Sequence, residues 1–374
     1  MTAPINPQPG RTRDGVPLAP LAGGFLPPYS ERLHHLTSMP EPSQEAAAAL
    51  MSMGEGSEGA SEETRAVIAA MEAWGAPFGE PEETHAVAED RTIDGPHGPV
   101  PVRVYRPEPG WEPPTPAATG PDGARPALVW DHGGAFVGGD LDMPEADLVA
   151  RGLTTRTGST VVSVFYRLCH DGVHHPVPHD DGYAAFRWTV EHAVELGVDA
   201  SRVAVGGASA GGNIAAGVAL HARDDAMSGL VAVWQALLAY PVAHAEHWPA
   251  SSPELAARQA ELPWVLRFPP GMMEHMNGTV LGGAVRDVPA YAFPGDGNGT
   301  AADLAGFPST YVENCENDDL RTSGEAFARQ LAGAGVDVEC VTAAGVPHGH
   351  LNAVGSPLTS ATLDRFAARL ARRP

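Results

Sequence analysis

Gly207-Ala208-Ser209-Ala210-Gly211 restricts the fold of this chain more than any other stretch. Before it runs Arg202-Val203-Ala204-Val205-Gly206, a short apolar segment of strand type. After it comes Gly212-Asn213-Ile214-Ala215-Ala216-Gly217-Val218-Ala219-Leu220, a helix of small residues. A Gly-x-Ser-x-Gly turn between a strand and a helix must be sharp, and the serine backbone is strained. Positions two before and two after the serine must be small, because strand and helix pack closely there. The hydroxyl then projects from the end of a sheet, over a helix N-terminus that favours developing negative charge.

Buried strands are needed to build such a sheet, and the chain supplies them. Ala127-Leu128-Val129-Trp130, Thr160-Val161-Val162-Ser163-Val164-Phe165 and Ala236-Leu237-Leu238-Ala239-Tyr240 are continuous apolar runs, the mark of strands covered on both faces. Strand-like sequence begins near Thr92, and Val100 to Tyr105 reads as an edge strand because it contains Pro101. Thr310 to Glu313 and Val336 to Val341 are two more strands. Helical patterns cover Glu145 to Arg156, Asp181 to Leu196, Ser323 to Ala334 and Leu358 to Arg372. Strand alternating with helix predicts an α/β fold with a mostly parallel sheet.

Two stretches fall outside this alternation. Residues 1–90 read as an extended arm followed by helices Ser43 to Met53 and Ser61 to Trp74, with Ser43 and Ser61 as N-caps. Residues 243–300 interrupt the rhythm with Trp248, Trp264, Phe268, Met272 and Met273 among prolines and glycines, and read as an insertion over the site. The division expected is therefore an N-terminal arm and cap helices (1–90), a first part of the core (91–242), a cap insertion (243–300) and a second part of the core (301–374).

Charge and cysteine usage exclude several classes. The chain has 23 Lys plus Arg against 46 Asp plus Glu, a formal net charge of −23. Such a surface repels nucleic acid and anionic membranes, so neither is expected as a partner. Cys169, Cys315 and Cys340 lie far apart, which suits reduced thiols rather than a disulfide framework or a zinc site. The segment Met1 to Pro7 has no basic region leading into an apolar core, and no apolar run is long enough to span a bilayer. A cytoplasmic protein is the expectation.

A serine hydroxyl needs a base within hydrogen-bond reach, and the base needs an orienting acid. Both should follow later strands, at the C-terminal edge where open α/β sheets place their sites. Asp318 follows the Thr310–Glu313 strand, and His348 follows the Val336–Val341 strand. The order Ser209, Asp318, His348 is that of the α/β-hydrolases. Ser209 would attack an ester carbonyl, His348 would carry the proton, and Asp318 would hold the imidazole. The N–H groups of Gly133, Gly134 and Ala210 would form the oxyanion hole, the glycines coming from His132-Gly133-Gly134-Ala135-Phe136.

Other residues were weighed for the same chemistry. His350 is a second base candidate, and His132 is expected to shape its loop. His170, His174, His175 and His179 crowd one loop with Asp171, Asp180 and Asp181, yet match no zinc spacing, so packing or surface roles are expected. Asp142 and Glu145 read as a solvated helix start.

Together these segments resemble the hormone-sensitive-lipase-like esterases, bacterial family IV carboxylesterases. The resemblance covers roughly Ala127 to the C-terminus and rests on His132 to Phe136; on Tyr166-Arg167-Leu168 with His175-Pro176-Val177-Pro178 and Asp180-Asp181; on Gly207 to Gly212; on Asp318-Asp319-Leu320-Arg321; and on His348-Gly349. It implies an α/β-hydrolase core, a helical cap built from N-terminal helices and the insertion after Tyr240, and hydrolysis of small short-acyl esters without cofactor or metal. Members of the family often pair, which leaves a homodimer open, and the sequence carries no readable interface signal. Four positions depart from the family pattern. Ala208 stands where aspartate is usual, Ala135 where a third glycine is usual, Asp319 where proline is common and His350 where an aromatic is common. The same triad serves deacetylases of acetylated sugars and lactone or amide hydrolases, which stay open as alternatives. A non-catalytic small-molecule-binding protein on this fold is the alternative of another class.

Overall fold

The structure is a computed structural model that describes residues 24–37, 61–120, 122–226, 229, 231–296 and 304–372. The helix expected at Ser43 to Met53 lies outside these residues.

Eight strands form one sheet: β1 (Ala86–Gly95), β2 (Gly98–Pro107), β3 (Arg125–Asp131), β4 (Thr160–Val164), β5 (Val198–Ala208), β6 (Gln235–Ala239), β7 (Ser309–Asn317) and β8 (Val338–Pro347). Their order is β1-β2-β4-β3-β5-β6-β7-β8. β2 runs antiparallel to both of its neighbours, and every other pair is parallel. The order reverses between β4, β3 and β5, which opens a crevice at the C-terminal ends of the central strands.

Side chains alternate across these strands, so one run feeds two apolar layers. Val129, Val162, Val205, Leu238 and Val312 point to the layer that holds Phe186, Ile214 and Phe327. These come from α4 (Val177–Glu191), α6 (Ala210–Ala226) and α9 (Arg321–Gly333). Leu128, Trp130, Val161, Leu237 and Tyr311 point to the opposite layer, with Leu153 and Phe366 from α3 (Pro144–Thr157) and α10 (Pro357–Leu370). Phe25, Leu26 and Tyr29 join this second layer, together with Trp74 at the end of α2 (Glu62–Gly75) and with Leu262 and Leu266. Ser61 caps α2 as expected, accepting from the Thr64 N–H at 3.1 Å.

Four expectations need correction. The arm read as extended is helical over Tyr29–Thr37. Strand structure starts at Ala86 rather than near Thr92. The Val100–Tyr105 segment is not an edge strand, because β2 lies between β1 and β4. Pro101 is tolerated there because it sits just outside the Val102–Tyr105 stretch paired with β4, and its carbonyl accepts from the Phe165 N–H at 3.0 Å. The helix read as Asp181 to Leu196 begins earlier, at Val177, and is broken at His192 before the short α5 (Ala193–Leu196).

Between β6 and β7 the described residues form helices and turns only. α7 (Pro253–Ala260) is capped by Ser252, a 3-10 turn follows at Trp264–Leu266, and α8 (Pro270–Leu281) comes next. α1 (Tyr29–Thr37) and the segment before it reach the same end of the sheet. Asn317 donates to the Gly24 carbonyl at 2.9 Å, and the Leu26 N–H donates to that of Gly345 at 3.1 Å. Among the described residues no helix is long and apolar enough to cross a membrane.

Backbone packs closely against backbone where α6 follows β5. A methyl group on Gly211 would fall on the carbonyl oxygens of Asp131 and His132, and one on Gly207 would fall on those of Gly211 and Asp131. Gly211→Ala is therefore expected to cost about 3 kcal/mol or more, as overpacking against backbone does. Gly75→Ala, at an open position at the end of α2, should keep stability or raise it by up to about 1 kcal/mol. Urea denaturation of the two variants checks the contrast.

Candidate active site

The registers of the parallel strands bring distant residues to one edge. Asp131 lies opposite Gly207, Ala208 opposite Ala239, and Asn317 opposite Pro347. The residues that follow, His132, Ser209, Tyr240, Asp318 and His348, therefore emerge as neighbours. The β7–β8 register shifts between Cys315 and Asn317, and β8 takes the extra residues. Gly345, with φ +70°, turns the backbone in that bulge.

Ser209 sits at φ +55°, in the left-handed region that a residue with a Cβ rarely adopts. Such a conformation costs roughly 1–2 kcal/mol. It is held by the Ser209 N–H donating to the Ala239 carbonyl at 2.9 Å, and by the Ser209 carbonyl accepting from the Asn213 N–H at 3.1 Å. Only 9% of Ser209 is exposed.

Three of the expected site residues form one hydrogen-bonded line. Ser209 Oγ is 2.8 Å from His348 Nε2, and His348 Nδ1 is 2.7 Å from Asp318 Oδ2. Asp318 is fully buried, and its second oxygen accepts from the Leu320 N–H at 2.8 Å. That arrangement leaves Nε2 free to accept from the serine hydroxyl. Burial opposes a charge on His348, but the Asp318 carboxylate outweighs it. Glu145 and Asp319 add to the effect, so the imidazole pKa lies above the ordinary histidine value. Two aromatic rings flank the imidazole edge-on, Tyr240 and Phe268, each with its centroid 4.8 Å away.

The segment after β3 turns sharply. Gly134, Ala135 and Phe136 have φ of +110°, +55° and +65°. The Gly134 carbonyl accepts from the N–H groups of Val137 and Gly138 at 3.0 and 2.8 Å. A Cβ at Gly134 would strike the Gly138 backbone, so glycine is required. Gly134 is exposed, whereas Gly133 is buried. Among the described residues the N–H groups of Gly134, Ala135 and Ala210 have no acceptor.

Gly133 departs from the expected role. Its N–H donates to Glu145 Oε2 at 2.7 Å, so that donor is taken by a carboxylate. Glu145 in turn is no solvated helix start: it is 2% exposed. Its other oxygen accepts from the Tyr240 hydroxyl and from Asn352 at 3.4 Å. Its own N–H donates to Asn352 Oδ1 at 3.1 Å. One side chain thus ties together the loop after β3, the end of β6 and the loop after His348. Burial raises the Glu145 pKa, against the pull of the Tyr240 and Gly133 donors. Asp142, by contrast, is exposed and pairs with Arg103 at 2.7 Å, as a helix-start acid can.

The remaining histidines are occupied elsewhere. His350 is buried between Thr362 (2.8 Å) and Cys315 Sγ (3.3 Å), and burial lowers its pKa to about 4. His132 bonds the Gly133 carbonyl at 2.7 Å and stacks on Tyr166, which fits its expected loop-shaping role. In the histidine-rich loop His170 and His174 are exposed. His179 is buried against Asn213 Oδ1 at 3.0 Å and lies 3.2 Å from His175. Among the described residues no cluster of three or more His, Cys, Asp or Glu is arranged to hold a metal ion. In the 243–296 segment, Met273 is buried, and Trp248, Phe268 and Met272 pack half-buried against the core.

Strand order, crossover pattern and the elbow at Ser209 define an α/β-hydrolase. A family model described as alpha/beta hydrolase fold matches residues 128–352. The chain belongs to the hormone-sensitive-lipase-like (family IV) carboxylesterases of that superfamily. It is 37% identical over 270 residues to the esterase LipI of Mycobacterium tuberculosis, covering 71% of this chain and 75% of that one. It is 37% identical over 284 residues to the carboxylesterase NlhH of the same organism, covering 73% and 78%. Among solved structures, EstE1, a thermostable carboxylesterase cloned from a metagenomic library, aligns with a TM-score of 0.65 at 31% identity. That alignment covers 78% of this chain and 92% of EstE1.

His348 is expected to titrate above the ordinary histidine value of about 6.5. Removing the neighbouring charge in Glu145→Gln should lower that midpoint, since a carboxylate nearby favours the imidazolium. Imidazole NMR titration reads both values, and an unchanged midpoint would take Glu145 out of the field that acts on His348.

Proposed function

We propose that the protein is a serine carboxylesterase that hydrolyses small short-acyl esters through an acyl-enzyme. The observation that carries this reading is the continuous line from Ser209 Oγ through His348 to the buried Asp318, at 2.8 and 2.7 Å. Ser209 Oγ attacks the ester carbonyl carbon while His348 Nε2 takes the hydroxyl proton. Asp318 holds the imidazole and stabilises its charged form. The tetrahedral intermediate expels the alcohol, which leaves with the proton from His348. Water then attacks the acyl-serine, again giving its proton to His348, and the carboxylic acid departs as Ser209 is regenerated.

Gly134 and Ala210 are the oxyanion donors in this reading, and Ala135 takes the place first expected of Gly133. What supports them is the lack of any other acceptor for their N–H groups among the described residues. Ala210 also opens α6, whose N-terminus favours an anion. The Gly133 N–H acts at one remove, by fixing the loop to Glu145. The preference for small esters is supported by the low exposure of Ser209 and by the two rings closing on His348.

Hydrolysis of p-nitrophenyl acetate to octanoate by the parent and by Ser209→Ala tests this. The parent should favour the short esters, and the variant should lose about 10⁴-fold or more in kcat, as removal of a triad member does. Hydrolysis retained by the variant would refute Ser209 as nucleophile. Inactivity of both proteins would favour a binding protein on this fold.

A further inference from the structure

Asp319 directly follows Asp318 in the turn after β7. Its side chain is nine-tenths buried. Oδ2 accepts from Arg267 Nε at 2.8 Å and from the Phe268 N–H at 2.7 Å. Gln259 adds two more bonds, donating to the carbonyls of Asp318 and Asp319 at 3.1 and 3.3 Å. The segment between β6 and β7 is therefore fastened to the turn that carries Asp318. The fastening point is the backbone of Phe268, whose ring lies edge-on to His348. Proline at 319 would offer no side-chain acceptor to Arg267 or Phe268.

We propose that Asp319 is a positioning residue, a latch that holds Phe268 over His348 and so makes Phe268 the wall limiting the acyl group that reaches Ser209. This rests on the reading of Ser209 and His348 as the reacting pair. Charge-assisted bonds such as Arg267 to Asp319 are short and directional. Without the carboxylate, a half-buried guanidinium and a backbone N–H lose their acceptor, and such groups relax toward water. The ring moves with the backbone that carries it. The site then widens on the side facing the 243–296 segment, while the Ser209–His348–Asp318 line keeps its own bonds.

The test compares kcat and KM for p-nitrophenyl acetate, butyrate, hexanoate and octanoate in the parent, Asp319→Ala, Asp319→Asn, Phe268→Ala and the Asp319→Ala/Phe268→Ala double variant. In Asp319→Ala, KM for acetate should rise with kcat changed much less. The hexanoate-to-acetate ratio of kcat/KM should rise about tenfold, the scale on which pocket size discriminates acyl length. Phe268→Ala should shift that ratio alike, and the double variant should add nothing, because both changes remove one wall. Asp319→Asn keeps an acceptor for the Phe268 N–H and should lie nearer the parent. If Asp319→Ala does not fold, Arg267→Met, which cuts the same latch from its more exposed end, should give the same direction of shift. A fall in kcat/KM by one common factor for every ester, or additive effects in the double variant, would overturn the latch. A parent without esterase activity would instead overturn the reading of Ser209 and His348.

Discussion

Everything at the active edge depends on how closely the turn after β5 approaches the end of β3. The Gly207 and Gly211 backbones lie against the carbonyls of Asp131 and His132, with no room for a Cβ between them. That contact forces Ser209 into the left-handed region and sets its hydroxyl beyond the strand ends. It also brings the loop that starts at His132 alongside the N-terminus of α6. The Ser209 hydroxyl and the free N–H groups of that loop are thus placed by a single steric constraint, at a strain of roughly 1–2 kcal/mol that packing on both sides of the sheet offsets.

Around this contact lies a buried polar framework. Glu145 accepts from Gly133 and Tyr240 and exchanges bonds with Asn352, so three loops share one carboxyl group. Deeper in the sheet, Asp131 is fully buried near Asp181, and burial pushes its pKa well up. On the far side Glu313 is buried under Arg365 at 2.7 Å. Burial alone would raise its pKa, but the guanidinium outweighs that and holds it near 2. Buried groups of this kind are costly unless satisfied, and when satisfied they admit one arrangement. Glu145 and Glu313 are so satisfied, whereas Asp131 Oδ1 has no hydrogen-bond partner among the described residues. The Glu145 bonds link loops that leave the ends of separate strands.

The outer wall adds polar fastenings of its own. The segment between β6 and β7 reaches the site through Gln259, Arg267 and Phe268, all bonded to two residues of one turn. Arg258 adds an ion pair to Glu316 at 2.9 Å, at the end of the same strand. These polar contacts add to apolar burial of the same segment, since Leu262 and Leu266 join one apolar layer and Met273 and Phe293 the other. In the proposed reading the core supplies the chemistry and this covering shapes the substrate space.

The α/β class, the elbow, and the convergence of Ser209, Asp318 and His348 could be read from residue order. Close packing at the elbow requires glycine at set positions, and buried strands require continuous apolar runs, so both constraints are local and leave a mark in the sequence. The destinations of Glu145, Gly133 and Asp319 could not be read in this way. An acid at a helix start looks the same whether it meets water or the N–H of a residue twelve positions earlier. A glycine in a tight loop does not reveal which way its N–H points. Edge and interior strands likewise differ only in their neighbours, which is why β2 was misplaced. Local sterics and hydrophobic pattern determined the machinery, and only tertiary packing decided which polar groups became its partners, because a hydrogen bond between distant segments depends on strand register and loop path that no single stretch of sequence encodes.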